Sequence, residues 1–438
     1  MLTQDAIGQA MHPYLELLQD HPATLPEALE ALGAEIDLLH ALALTPQDPS
    51  WHGEGDVAAH VSLVLSELEQ VLAETDLALG GPERATLRLA ALLHDIGKPL
   101  CTRSELREGG TRVVSPGHSG RGAAYLALRL PGLVEPPGAS LYFDVLALVR
   151  RHHRPQSLVR SDAPARRFGR LGRAVDLRLL YLLCLADARG RVADDVAILV
   201  ERVELFRLAC EEARAWGGPE RLAGFARGIA AALPDAAEEA LERVLFEGLW
   251  DLDAGRIHTA EEAVARHAHH AGPSSRIWLT CGPSASGKSR WVQAHLGQLP
   301  VIELDRLREA LTGRRGEQRD NARVLAAARD QLRQRLRRGE PTVWEATALR
   351  REQRLAVLET ARRYGAHTTL VVFCAPAPEL ARRNRRRRDP VPDAVLERQL
   401  RVLEWPDENE AHRTLYVDGQ GQVIRDSRAS WRELLEDP

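Results

Sequence analysis

The chain has 438 residues, 27% charged and 44% hydrophobic, with a formal net charge of −4. This length predicts two or three domains with full cores, and the near-neutral balance excludes a molecule that binds nucleic acid through overall basicity. Five widely spaced cysteines without a CxxC pair exclude a disulfide framework or zinc knuckle, and the absence of a secretory leader or an apolar run of about 20 residues predicts a cytoplasmic protein without membrane partners.

Of the 58 Lys and Arg side chains only Lys98 and Lys288 are lysine. Genome composition alone can bias a chain toward arginine, but both surviving ammonium groups fall inside short phosphate-handling motifs, where a compact point charge suits better than a planar fork.

Residues 1–50 read as a helical extension broken by Pro and Gly, and residues 51–216 as helix after helix. Apolar residues recur at three- and four-residue spacing over 56–74, 83–94, 141–153, 174–188 and 193–216, with almost no alternating strand pattern between them. Metal-ligand residue types punctuate this helical stretch: His60 in HGEGDVAAH, His94 and Asp95 in HDIGKP, His118 in GHSGRGA, His152 and His153 in RHHRP, and Asp187 in ADARGR. Imidazole and carboxylate suit a divalent first-row metal that activates water, and ligands from several helices can converge in a bundle core. A lone histidine on an apolar face is more often a packed core residue, so the order of the whole set carries the reading. His52, Glu54 and Asp56 are expected as supporting or substrate contacts, with helix capping an equal alternative for Asp56.

Together these motifs resemble the HD phosphohydrolase superfamily, and in particular the HD domain attached to bacterial tRNA nucleotidyltransferases; residues 1–50 are too few to form a nucleotidyltransferase domain, so that enzyme's main activity is not expected. The resemblance implies one ion held by His60, His94, Asp95 and Asp187. His118 with His152 or His153 would complete a second site, and Lys98 would neutralise phosphoryl oxygens. One or two divalent transition metals such as Mn²⁺, Ni²⁺ or Co²⁺ would activate water against phosphorus.

Residues 217–272 stay helical and Ala/Glu-rich and read as a connector; its His267, His269 and His270 lack a nearby carboxylate pattern and are taken as non-ligands. The texture changes at Arg276. Apolar segments at 277–281, 300–304, 341–346 and 367–374 are strand candidates, each followed by a helical segment, which predicts an α/β domain with a parallel sheet over 273–438. Gly282-Pro283-Ser284-Ala285-Ser286-Gly287-Lys288-Ser289 matches GxxxxGK[ST] between a strand and a helix. Gly282, Ser284, Ser286 and Gly287 form the loop for ATP or another nucleoside triphosphate, Lys288 reaches β/γ oxygens and Ser289 presents its hydroxyl to Mg²⁺. Asp305, ending the next strand, is placed to accept a proton from an attacking hydroxyl, and Arg308 one turn later to hold a substrate phosphate. The arginine run 385–388 is read as a lid over ATP rather than a solvated face, and Arg314, Arg315, Arg337 and Arg338 favour a polyanionic acceptor.

The loop, Asp305-x-x-Arg308 and Arg383-Asn384-x-x-Arg387 together resemble the phage-type 5′-polynucleotide kinase over about 276–420. The resemblance implies Asp305 as general base, Arg308 on the 3′-phosphate of the terminal nucleotide, Arg383 and Arg387 on ATP phosphates, and Glu345 and Thr347 near the acceptor. That family often has Asn where this chain has Ala348.

The expected architecture is therefore multidomain, an all-α HD helical bundle followed by an α/β P-loop kinase domain with a mostly parallel sheet. The whole resembles the bacterial HD-Pnk type of end-healing enzyme, which implies RNA or DNA ends and ATP as substrates, a separate ligase as co-worker, and a homodimer as one candidate assembly. Two alternatives compete: an HD nucleotidase fused to a small-molecule kinase, and an ATP-switched nucleotide sensor.

Overall fold

The computed structural model describes residues 11–107, 110–134, 140–161, 163–216, 220–268, 275–313 and 321–435. By contacts the chain divides into two compact units, 1–219 and 220–438.

In the first unit α1 (Val57–Glu74) starts on Asp56, whose Oδ1 accepts the Ala59 amide at 2.9 Å. The capping reading of Asp56 is therefore the one realised. Helix α2 (Gly81–Leu93) opens with Pro82 in its first turn and the Glu83 carboxylate on the Gly80 amide at 2.8 Å, and every residue from Ala85 to Leu93 is buried. A helix buried on all sides belongs at the centre of a bundle, and its one buried charge, Arg88, is paired with Glu69 at 2.8 Å. A hairpin follows, β1 (Arg103–Arg107) antiparallel to β2 (Gly110–Val114). It interrupts what the sequence presents as continuous helix. Its strands are short and largely exposed, so they lack the apolar alternation that marks a buried strand. Then come α3 (His118–Leu126), α4 (Ser140–Arg151), α5 (Leu177–Arg189) and α6 (Val196–Glu212). Helix α5 is capped by Asp176 and buried nearly throughout; α1 and α6 pack on it, and α4 packs on α2 and α3.

The second unit begins with three helices, α7 (Glu220–Ala232), α8 (Glu238–Ala254) and α9 (Ala260–His267), which share an apolar core of Phe225, Ile229, Val244, Leu249 and Ile257. The texture break near 272 separates helical from α/β sequence, but contacts divide the chain at 219/220, because these helices pack on the sheet domain. Glu242 of α8 ties them to it through His367 Nε2 at 3.0 Å and the Arg428 guanidinium. His267 binds Asp251 of α8 at 3.0 Å, a structural partner; His269 and His270 lie outside the described residues, as do Arg314 and Arg315.

The six-stranded sheet has order β4-β5-β3-β6-β7-β8, built from β3 (Arg276–Cys281), β4 (Val301–Glu303), β5 (Thr342–Glu345), β6 (His367–Phe373), β7 (Arg413–Val417) and β8 (Val423–Asp426). All pairings are parallel except β7 with β8. The loop from Gly282 leaves the central strand β3 and enters α10 (Lys288–Leu296), flanked by β5 and β6. Beyond lie α11 (Leu304–Thr312), α12 (Asn321–Arg337), α13 (Arg351–Arg363), α14 (Ala377–Arg385), α15 (Asp393–Val402) and α16 (Ser427–Leu435). The fully buried Arg354 of α13 binds Glu410 at 2.6 and 3.0 Å and the carbonyls of Ala348 and Leu349 at 3.1 Å, fixing the segment after β5.

Candidate functional sites

In the first unit the histidines and aspartates scattered over residues 60–187 meet in the bundle core. His94 follows the last residue of α2, His118 opens α3, His152 follows α4, and Asp187 lies in the last turn of α5. His94 Nε2 lies 3.2 Å from Asp95 Oδ2, His118 Nε2 3.0 Å from Asp95 Oδ1 and His152 Nε2 3.9 Å from the same oxygen. His60 Nε2 is 3.1 Å from Asp187 Oδ1 and 3.7 Å from Asp95 Oδ2.

The tautomers follow from the backbone. His94, His118 and His152 each direct Nδ1 at 2.8 Å to the carbonyl three residues upstream, of Ala91, Ser115 and Val149. A carbonyl only accepts, so each Nδ1 carries a proton, and in the neutral ring each Nε2 presents a lone pair. These lone pairs face a carboxylate that also only accepts. The Nε2 atoms of His94 and His152 are buried without a hydrogen-bond partner. Burial and the neighbouring His153 hold His152 well below the usual imidazole range, and burial likewise takes His153 down to about 3. Buried acceptors crowded around one point fit a cation, and among the described residues three sets have metal-holding spacing: Asp95 with His118, His152 and His153; Asp95 with His60 and His94; and, adjoining them, His60 with His52 and Glu54. His152 and His153 both belong to the first set; His153 Nε2 lies 2.9 Å from His118 Nε2.

Charge around the cluster is arranged for anions. Burial is the largest single influence and raises the Asp95 and Asp187 carboxyls, but Lys98, His94 and His118 together outweigh it for Asp95, and Arg191, His60 and His94 together for Asp187, leaving both well below the usual range. Lys98 Nζ lies 2.7 Å from Asp95 Oδ2 and donates to Gln47 Oε1. Glu54 Oε1 lies 2.8 Å from His52 Nδ1 and 2.9 Å from His60 Nδ1, a carboxylate behind a candidate ligand. Sequence reading missed Gln47 and Arg191. Nothing marks Gln47, which is brought in by tertiary packing; Arg191 stands four residues after Asp187 in ADARGR, one turn away, and that spacing was available.

In the second unit Gly287 (φ 98°) and Ala285 (φ 64°) turn the loop amides inward. A Cβ on Gly282 would come within 2.8 Å of Ser286 Oγ and 2.9 Å of Phe373 Cβ, so only glycine fits against β6. Lys288 Nζ donates to the carbonyls of Gly282 (3.0 Å) and Pro283 (2.6 Å), and burial brings it down to about 8. Ser289 donates to Glu345 Oε1 at the end of β5. Asp305 and Arg308 pair with each other, the carboxylate largely exposed, and Arg308 Nη2 donates to Asn321 Oδ1 at 3.2 Å. Thr347 contributes its carbonyl to the Gly282 amide at 2.9 Å, and Ala348 adopts φ 43°. Arg383 is held by Glu379 at 2.5 Å and donates to the Gly419 carbonyl; Asn384 is buried and binds both Val391 N (3.0 Å) and Val391 O (2.6 Å), closing the exposed arginine loop. Arg387 lies on that loop, near enough for its charge to act on Lys288. Gln399 of α15, which sequence reading did not mark, accepts the Ser284 amide at 2.7 Å.

Comparison with known proteins agrees with this division. Residues 58–190 match the HD domain family and residues 277–406 the AAA domain family. Two curated relatives are multifunctional CCA proteins. That of Pasteurella multocida (strain Pm70) is 28% identical over 201 residues, 44% of either chain, and that of Thioalkalivibrio sulfidiphilus (strain HL-EbGR7) is 30% identical over 188 residues, 39% of either. The chain thus spans less than half the length of these relatives. Among solved structures, a gluconokinase from Sinorhizobium meliloti 1021 is 27% identical and covers 37% of this chain and 94% of its own (TM-score 0.27). A sugar kinase from Janibacter sp. HTCC2649 is 22% identical and covers 37% and 90% (TM-score 0.27). No described helix is long and apolar enough to cross a membrane. The chain joins a helical HD domain, whose kind implies a divalent metal, to a P-loop kinase-like α/β domain, whose kind implies a nucleotide and Mg²⁺.

Proposed function

We propose that this chain heals broken nucleic-acid ends, phosphorylating 5′-OH termini in its second unit and removing 2′,3′-cyclic, 2′- or 3′-phosphate in its first. The observation that carries the reading is the Asp305–Arg308 pair near a nucleotide loop, in the same chain as a buried His/Asp cluster. A base paired to a guanidinium suits an acceptor that brings both a hydroxyl and a phosphate, as a polynucleotide terminus does.

In the kinase half Lys288 leaves its two loop carbonyls for the β/γ oxygens of ATP, and Ser289 with Glu345 holds Mg²⁺. Arg308 turns from Asp305 to the acceptor's phosphate, which frees the Asp305 carboxylate to take the proton of the 5′-hydroxyl. Arg383 and Arg387 close over the triphosphate, and Thr347 lies on the acceptor side. In the HD half His60, His94, Asp95 and Asp187 would hold one ion, and His118 with His152 or His153 a second. A divalent ion bound there supplies Lewis acidity and charge neutralisation at phosphorus. The chain's own contribution is to fix the imidazole tautomers, to exclude water from the ligand side, and to offer Lys98 and Gln47 to non-bridging oxygens. RNA or DNA ends are the partners, a separate ligase seals them, and five widely spaced cysteines without a CxxC pair suit a cytoplasmic setting.

The test is an RNA bearing a 5′-OH and a 2′,3′-cyclic phosphate, incubated with ATP, Mg²⁺ and Mn²⁺ and weighed by mass spectrometry. Gain of a 5′-phosphate and loss of the 3′-terminal phosphate are expected. Asp305→Ala should lose the first by at least ~10³-fold while still binding ATP. No change at either end, with ATP bound, would sink the reading in favour of a small-molecule kinase and nucleotidase pair.

A further inference from the structure

A cavity of about 380 Å³ opens in the second unit between α8, the last turn of α13 and the Gly365–Ala366 turn that leads into β6. It lies at the start of β6, whereas the nucleotide loop follows the end of the parallel neighbour β3. A seven-residue strand separates the two, about 20 Å at about 3.3 Å per residue. The cavity is therefore distinct from the kinase centre. Its size falls within the range of about 300–1,000 Å³ usual for small-molecule sites.

Its walls hold buried cations that lack full partners. Arg243 is 4% exposed; its Nη1 donates to the Gly365 carbonyl at 2.7 Å, while its Nε is buried with no hydrogen-bond partner. Nη1 of Arg362 is also buried and unpartnered, and the nearest carboxylate, Glu247, lies 4.0 Å from Arg362 Nε. Both residues line the cavity, and a ligand would reach each guanidinium through its remaining N–H groups. Four arginines against two glutamates line that space; Arg256 is paired with Asp251, and Arg243, Arg362 and Arg363 leave a positive balance in a concave, partly desolvated setting where a phosphate is held well. Burial lowers the Arg243 guanidinium from its ordinary value, the direction a bound anion would reverse. Beside the arginines stands the half-buried ring of Trp250, with the Arg362 guanidinium 4.8 Å from its centroid. An aromatic flank next to a cation pair suits a ligand with a planar ring joined to a phosphate.

We propose that this cavity is a second ligand site that takes a nucleoside monophosphate, its phosphate on Arg243, Arg362 and the exposed Arg363 and its base along Trp250. This does not depend on the end-healing reading.

The experiment is calorimetric titration of the full chain carrying Lys288→Ala, in EDTA so that neither the nucleotide loop nor the HD cluster competes, with AMP and with inorganic phosphate as probes. One AMP per chain is expected, bound at least tenfold tighter than phosphate. Arg362→Gln should weaken both probes at least tenfold, and Trp250→Leu should weaken AMP alone. Arg363→Gln, at an exposed position, should weaken both about threefold. No AMP binding at millimolar concentration overturns the proposal, as does AMP binding indifferent to these three substitutions. Equal affinity for phosphate and AMP, unmoved by Trp250→Leu, overturns the nucleotide assignment.

Discussion

Lys98 occupies a space only 8% exposed, with Nζ 2.7 Å from Asp95 Oδ2 and on Gln47 Oε1. A guanidinium is wider than an ammonium and fixed in a plane, so it cannot make both contacts without displacing the carboxylate. Lys98→Arg is therefore expected to cut phosphohydrolase turnover about 10²-fold although the charge is kept, measured as kcat on a 2′,3′-cyclic phosphate with the kinase rate as internal control. A second residue-scale expectation concerns His412. Its Nδ1 accepts from Thr368 N at 2.9 Å, so its proton is on Nε2, facing Glu247 at 3.3 Å, and a second proton would meet the Thr368 amide. Burial takes this ring down to about 4 from the ordinary 6.5. The unfolded chain thus binds more protons between pH 6.5 and 4, and the contribution of His412, full above pH 6.5, is lost as pH falls toward 4. His412→Gln is expected to flatten that part of the acid limb by about 2–3 kcal/mol, read from urea unfolding at pH 7 and pH 4.5. The candidate ligands were legible because residue type and order carry metal chemistry. Gln47 and Arg191 act only through the neighbours that tertiary structure gives them.

Close approach of elements positions the HD cluster. A Cβ on Gly97 would lie 2.1 Å from the His118 carbonyl oxygen and 2.6 Å from the Gly122 amide nitrogen, so the turn after α2 and the start of α3 touch backbone to backbone. Both atoms belong to main chain and cannot swing aside. Gly97→Ala is expected to destabilise the first unit by about 3 kcal/mol and to separate His118 from Asp95. Thermal unfolding and bound metal per chain should fall together; a variant that melts as wild type with full metal content would contradict the contact. The long helices were readable from three- and four-residue spacing, and the four strands from 276 to 373 from their apolar runs. Strands β7 and β8 escaped, although a turn closed by Gly421 N on Asp418 O at 3.2 Å joins them, because arginines and threonine interrupt their apolar pattern. The hairpin β1–β2 escaped because its residues are mostly solvated.

For the molecule as a whole, the division at 219/220 predicts where the chain can be cut. A fragment 220–438 keeps Glu242 with His367 and Arg428, and the Arg243 contact to the Gly365 carbonyl. A fragment 273–438 loses them and leaves His367 and His412 without their carboxylates. The longer fragment is expected to unfold cooperatively in urea and the shorter to aggregate or melt at least 10 °C lower, an outcome that equal stability of the two would refute. The order helical HD then α/β was legible from one change of periodicity. A break at 216/217 was marked as well, but that the helices after it belong with the sheet domain was not legible, since helices that cover a sheet look like any other helices until their partners are known.

The bonds from His94, His118 and His152 Nδ1 to carbonyls three residues upstream are local, set by each chain segment rather than by whatever occupies the cluster. An ion entering the cluster finds rings already aimed and needs little rearrangement to be held. Which divalent ion would be held there depends on how well its preferred geometry matches these fixed rings.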